Sequence, residues 1–152
     1  MIQRFEKFSL AISEISRCWH MIATEEMEKC GLKGIHAIYL TTMLRFPEGL
    51  TAAKLCEYCG RDKAEVSRTV SAMEEKGLLQ KQGSAYRSVL TLTSDGLRAA
   101  EFVRSRAALA VELAGADLSP EQRSIFYNAL DSITQNLQTI SQTGLPENKE
   151  QL

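Results

Sequence analysis

The chain has 152 residues, 44% of them apolar and 24% charged, with a formal net charge of −1. That is enough chain for a real core, and the balance is that of an ordinary globular protein. No apolar run approaches the roughly 20 residues of a membrane helix, and the mixed-charge start Met1–Lys7 is no secretion signal. A cytoplasmic protein without a membrane partner is expected.

The elements follow in chain order. Phe8, Ile12, Ile15, Trp19 and Ile22 fall at offsets 0, 4, 7, 11 and 14, one stripe of a long first helix. Gly31 suits its stop. A second helix is expected from Lys33 to Phe46, with Ile35, Ile38, Tyr39 and Leu40 inward, ended by Pro47-Glu48-Gly49. Two short helices follow, Thr51–Cys59 and Asp62–Lys76. The stretch Leu78–Thr93 changes character: Val89, Leu90 and Leu92 beside threonines suit a strand, and Gln82-Gly83-Ser84 a turn, so a two-stranded hairpin is expected.

Helix returns at Ser94, carrying Leu97, Ala100, Phe102, Val103, Ala107, Leu109, Val111 and Leu113. The last helix has the clearest start: Ser119 as cap, Pro120 in the first position, Gln122 to complete a capping box. Its stripe is Phe126, Leu130, Ile133, Leu137 and Ile140, and Thr143-Gly144-Leu145-Pro146 ends it.

Leu55–Leu79 is the most informative stretch. Leu55 and Cys59 form an apolar pair, Cys56 holds a small-residue position, and Gly60 sits where a turn between two helices needs it. Val66, Val70 and Met73 make an inward face, and Asp62 with Glu65 fits a capping box. The outward face is left to Arg61, Lys63, Ser67, Arg68 and Ser71, residue types that bond phosphates and base edges. Charge is distributed accordingly. Arg61–Arg106 carries nine basic and six acidic residues, a local +3, against −4 for the rest.

The stretch LCEYCGRDKAEVSRTVSAMEEKGLL and the later VLTLTSDG resemble the MarR family of winged helix-turn-helix transcriptional regulators. The resemblance covers nearly the whole chain. It implies a mainly α fold, a winged helix-turn-helix with a short β-hairpin wing and an intertwined helical dimerisation region. Residues 1–32 would be the N-terminal dimerisation helix, 33–93 the DNA-binding lobe, 94–143 the helices completing the dimerisation region, and 144–152 a flexible tail. It implies a homodimer on double-stranded DNA, at a pseudo-palindromic site with half-sites roughly 34–36 Å apart. Repression is the commoner mode in the resembled family. At the wing tip, family members usually carry an Asp-x-Arg or Asp-Arg-Arg group. Here Ala85-Tyr86-Arg87 stands there, so Arg87 remains for a minor groove without the carboxylate that would orient it.

The resemblance also implies a small aromatic or anionic effector. Trp19, His20, His36, Tyr39 and Met43 either line its pocket or simply fill the core. Cys18 and Cys30 leave a redox-responsive regulator as an alternative. A winged helix that binds protein instead of DNA is another. Cys56 and Cys59 form a CxxC on one helix without further metal ligands, and the pair reads as packing. No glycine-rich phosphate loop, HExxH or GxSxG is present. Neither an enzyme nor a cofactor is expected.

Overall fold

In the computed structural model, residues 3–83 and 88–145 are described. The chain divides into two compact units, 1–109 and 110–152. Among the described residues no helix is long and apolar enough to cross a membrane.

The first unit opens with α1 (Arg4–Glu28). Its stripe Phe8, Ile12, Ile15, Trp19 and Ile22 is exposed, and of the helix only Met27, near its end, is buried. Closure occurs where Gly31 stands in the sequence. The Gly31 amide returns to the Glu28 carbonyl and the Leu32 amide to that of Met27, each at 2.9 Å.

α2 (His36–Leu44) is shorter at both ends than the apolar pattern suggests. Its start is fixed instead by the Lys33 amide, which donates to Nδ1 of His36 at 3.2 Å. Tyr39 and Leu40 are fully buried as expected, but Ile38 is exposed and His36, Thr42 and Met43 are buried in its place. Packing on several sides has overridden the single-face pattern.

Thr51 caps α3 (Ala52–Cys59) by accepting from the Lys54 amide. Gly60 closes it in the left-handed conformation (φ 61°), which side chains with a Cβ resist, and the Arg61 amide returns to the Cys56 carbonyl. This sharp turn delivers the chain into α4 (Lys63–Glu75). Asp62 caps α4 by accepting from the Glu65 amide at 2.8 Å. The reciprocal half of the expected box is not made: the Glu65 carboxylate lies toward Arg61, with Oε1 3.6 Å from the Arg61 Nε.

β1 (Leu79–Gln82) and β2 (Val89–Leu92) pair antiparallel, Leu79 opposite Leu92 and Gln82 opposite Val89. Ser84 and the tip Ala85-Tyr86-Arg87 lie outside the described residues. The hairpin gains a third, one-residue member, since Leu50 and Leu90 exchange both backbone hydrogen bonds.

α5 (Ser94–Ala114) starts against this hairpin. Thr93 Oγ1 accepts from the Gly96 amide, capping the helix. A Cβ on Gly96 would sit 1.9 Å from the Leu78 carbonyl oxygen, so helix and chain touch backbone to backbone. The core gathers Met27, Leu32, Tyr39, Leu40, Met43, Leu55, Val66, Met73, Leu90, Ala100 and Val103.

In the second unit, α6 (Pro120–Thr143) has the expected capping box. Ser119 Oγ accepts from the Gln122 amide, and the Ser119 amide donates to Gln122 Oε1. Arg123 bonds Glu112 at 2.6 Å. No residue of α6 is buried, and Phe126, Ile133, Leu137 and Ile140 are exposed.

The Gly96 contact gives a direct test. Gly96→Ala forces backbone apart in the core and should cost about 3 kcal/mol, lowering the melting temperature by roughly 6 °C or more. A melting point within about 2 °C of wild type would show that α5 can move away freely.

Candidate nucleic-acid interface

The helix-turn-helix face is built by what α4 hides. Val66, Thr69, Val70 and Met73 are buried, which leaves Lys63, Ser67, Arg68 and Ser71 on the opposite side, all exposed. Arg61 precedes the helix and is half-buried, held beside Glu65. Among the described residues, Lys63 and Arg68 have no carboxylate within salt-bridge distance, whereas neighbouring lysines do. Lys54 pairs with Glu57 at 2.9 Å and Lys81 with Glu74 at 2.8 Å.

A cleft of about 500 Å³ runs between α3, α4 and the hairpin. Ala52, Ala53 and Cys56 line one side, Val66 and Val70 the floor, with Lys63, Ser67, Lys81 and Ser88 supplying polar groups. Sequence reasoning did not single out Lys81 and Ser88. Strand alternation could have placed them, but their partner helix could not be read from local pattern. Cys56 was expected to face inward. It is only partly buried and lines this cleft, while Cys59 alone of the pair is buried, its thiol 3.7 Å from Thr42 Oγ1. Burial pushes the Cys59 thiol pKa up, which disfavours a reactive thiolate. Cys18 and Cys30 are exposed on and after α1. Arg87 lies outside the described residues. No group of three metal-ligating side chains occurs among those described.

Of the five residues set apart for an effector or for the core, three are buried and two are exposed. His36, Tyr39 and Met43 lie in the core of the first unit. Trp19 and His20 are exposed on α1, where His20 joins Arg17, Met21, Thr24 and Glu25 in a shallow depression. Tyr39 and Met43 are one turn apart on the side of α2 that the core consumes. The Tyr39 hydroxyl lies beside Thr69 without a hydrogen bond of ordinary geometry, and burial raises its pKa.

The sequence model of the MarR family matches residues 31–86. No curated protein matches the chain. Solved structures similar in fold include a MarR transcriptional regulator from Methanosarcina mazei Go1, with a TM-score of 0.81 and 21% identity over 92% of this chain and 94% of the other. A MarR protein from Peptoclostridium difficile gives 0.79 at 17% identity, over 91% and 92%. A putative MarR family transcriptional regulator from Listeria monocytogenes, complexed with 26mer DNA, gives 0.74 at 20% identity, over 91% and 95%. At these identities the likeness is one of fold, a winged helix-turn-helix.

His36 carries a pH dependence. Its pKa is lowered chiefly by burial, then by Lys76 and Lys33, and its Nδ1 must stay unprotonated to accept from the Lys33 amide. A lowered folded pKa means that the unfolded chain binds the proton more readily. Stability is therefore full above the unfolded value near 6.5 and is lost as pH falls below it. Glu26 is held at about 2 by hydrogen bonds from Arg106 and Lys29, so its contribution is full above the ordinary carboxylate value near 4.5 and is lost as pH falls from there toward 2. Thermal melts at pH 7.5 and 5.5 should show a drop for wild type and a smaller one for His36→Gln. Equal drops would assign the effect elsewhere.

Proposed function

We propose that this chain, whose residues 31–86 match the sequence model of the MarR family, is a DNA-binding transcription regulator of that family, a homodimer that sets α4 of each copy in the major groove of one half of a pseudo-palindromic site. The observation that carries this reading is the face of α4. Lys63, Ser67, Arg68 and Ser71 stand exposed on a helix whose other side is locked in the core. Cations suit phosphates, and arginine and serine suit base edges. The similar fold from Listeria monocytogenes was solved with DNA, which supports the same use here.

The dimer reading is supported by apolar side chains that α1 and α6 leave in water, among them Phe8, Ile15, Trp19, Phe126, Leu137 and Ile140. A lone soluble chain rarely exposes so much. In this division residues 1–32 and 94–143 form the dimerisation region and 33–93 the DNA-binding lobe. Repression is the mode proposed, by occupancy of the site. A small aromatic or anionic effector would act by favouring the half-site spacing that mismatches the operator. The exposure of Cys18 and Cys30 favours, as a second reading, control by oxidation of one of these thiols. Peroxide treatment followed by mass measurement separates the two.

The test is selection of genomic fragments by the purified, reduced protein, with a salt titration on the winner. Sedimentation should give twice the 16.9 kDa chain mass. Arg68→Ala should weaken binding by about 1–3 kcal/mol, and affinity should fall steeply with salt. Weak, sequence-indifferent binding that Arg68→Ala leaves unchanged would favour a protein-binding winged helix.

A further inference from the structure

The end of α1 is tied at two points, once to the residue after α4 and once to α5, whose start is packed backbone to backbone on the helix-turn-helix lobe at Gly96. Lys76, the residue after α4, sends its Nζ back across 45 residues to the carbonyl oxygen of Gly31 at 3.1 Å. From α5, Arg106 Nε donates to Glu26 Oε2 at 2.6 Å, and Lys29 bonds the same carboxylate. Between these straps Met27 and Leu32 are buried in the core. Gly31 lies just past the C-terminal end of α1, where the partial negative charge of the helix end favours a nearby ammonium.

We propose that Lys76 and Arg106 are positioning residues for DNA recognition: their bonds to Gly31 and Glu26 fix the angle between α1 and α4, and so the half-site spacing that the dimer accepts. The inference rests on the dimeric DNA-binding reading above. The apolar core sets which face of α4 turns inward, and the two apolar side chains at the corner, Met27 and Leu32, leave a few degrees of freedom in its angle. Directional polar bonds on two sides of the corner do fix it. The lever is long enough for this to matter. A 13-residue helix spans roughly 20 Å, so a ten-degree rotation about one end carries the other by about 3.4 Å, the rise of one base pair. Neither strap residue lies on the exposed DNA-facing set of α4, and each is already bonded within the chain.

The experiment takes the selected palindrome and changes its half-site separation by one base pair either way. Affinities are measured for wild type, Lys76→Met, the double variant Lys76→Met/Arg106→Met, and Lys76→Arg. Melting curves and sedimentation confirm that each is folded and dimeric. Wild type should prefer its own spacing by about tenfold. Lys76→Met should narrow that preference, the double variant should narrow it to threefold or less, and Lys76→Arg should restore it. The slope of affinity against salt should not change, because no phosphate contact is removed. Uniform weakening at all spacings, or a shallower salt slope, would make Lys76 a phosphate contact and overturn the proposal. Unchanged discrimination in a folded double variant would overturn it too, while leaving the DNA-binding reading intact. If wild type itself selects no palindrome, both fail together.

Discussion

One apolar core, to which every element between Met27 and Val103 contributes, determines where α4 can point. Tyr39 and Leu40 from α2, Leu55 from α3, Val66 and Met73 from α4 and Leu90 from β2 are all almost wholly buried. Each such side chain is worth about 1.5–3 kcal/mol relative to exposure. Rotating α4 by one residue either way would bring Glu65 or Ser67 into the place of Val66, burying a charged or polar group without a partner. The exposed set on α4 is thus fixed by what its inward side cannot release. Backbone contacts sharpen this. The Leu50–Leu90 exchange ties the loop before α3 to the hairpin, and Gly96 brings α5 against the Leu78 carbonyl. Hairpin, α3 and α5 are each registered to the same core.

The rest of the chain obeys a different constraint. α1 buries nothing before Met27, and α6 buries nothing at all. Both have strong local reasons to be helical, α6 above all through the Ser119–Gln122 box. Local propensity alone holds isolated helices only marginally in water, and an amphipathic stripe is normally stabilised by what covers it. On the proposed reading the second copy supplies that cover. The lobe is then stabilised within one chain and the arms between two, which makes their junction the place where geometry is decided.

Much of this was legible in the sequence, and the reasons are specific. Period and punctuation placed all six helices and the hairpin, because Gly31, Gly60, Pro47 and Ser119-Pro120 are strong stops and starts. The inward face of α4 followed from Val66, Val70 and Met73. What failed was tertiary. Ile38, expected inward, is exposed because α2 packs on several sides, and the buried place of His36 is readable only once its Lys33 partner is known. The Asp62–Glu65 box formed only halfway, since Glu65 found Arg61. Cys56 took the wall of a cleft that exists only after the hairpin folds back. Of the five residues considered for an effector or for the core, His36, Tyr39 and Met43 went into the core while Trp19 and His20 stayed exposed, because position along a helix does not say which side a core will claim. The straps from Lys76 and Arg106 cross 45 and 80 residues, and no local pattern encodes such pairs.

The near-neutral net charge of −1 looks at first like an argument against a nucleic-acid surface, and the ion pairs resolve it. Interactions between exposed charges fade over about 8–10 Å at ordinary salt, so what a phosphate meets is the local set and not the sum. Around α4 that set is sorted. Glu57, Glu65 and Glu74 each lie beside a basic group, Lys54, Arg61 and Lys81 respectively. Their charges largely cancel at short range, while among the described residues Lys63 and Arg68 keep no carboxylate partner and stand on the exposed side of the helix. On the proposed reading, a protein of net charge −1 binds DNA through a small number of placed cations. Such a surface gives weak attraction to any polyanion. On that reading its affinity depends on correct registration of two copies, and specificity is gained by making geometry rather than charge the larger part of recognition.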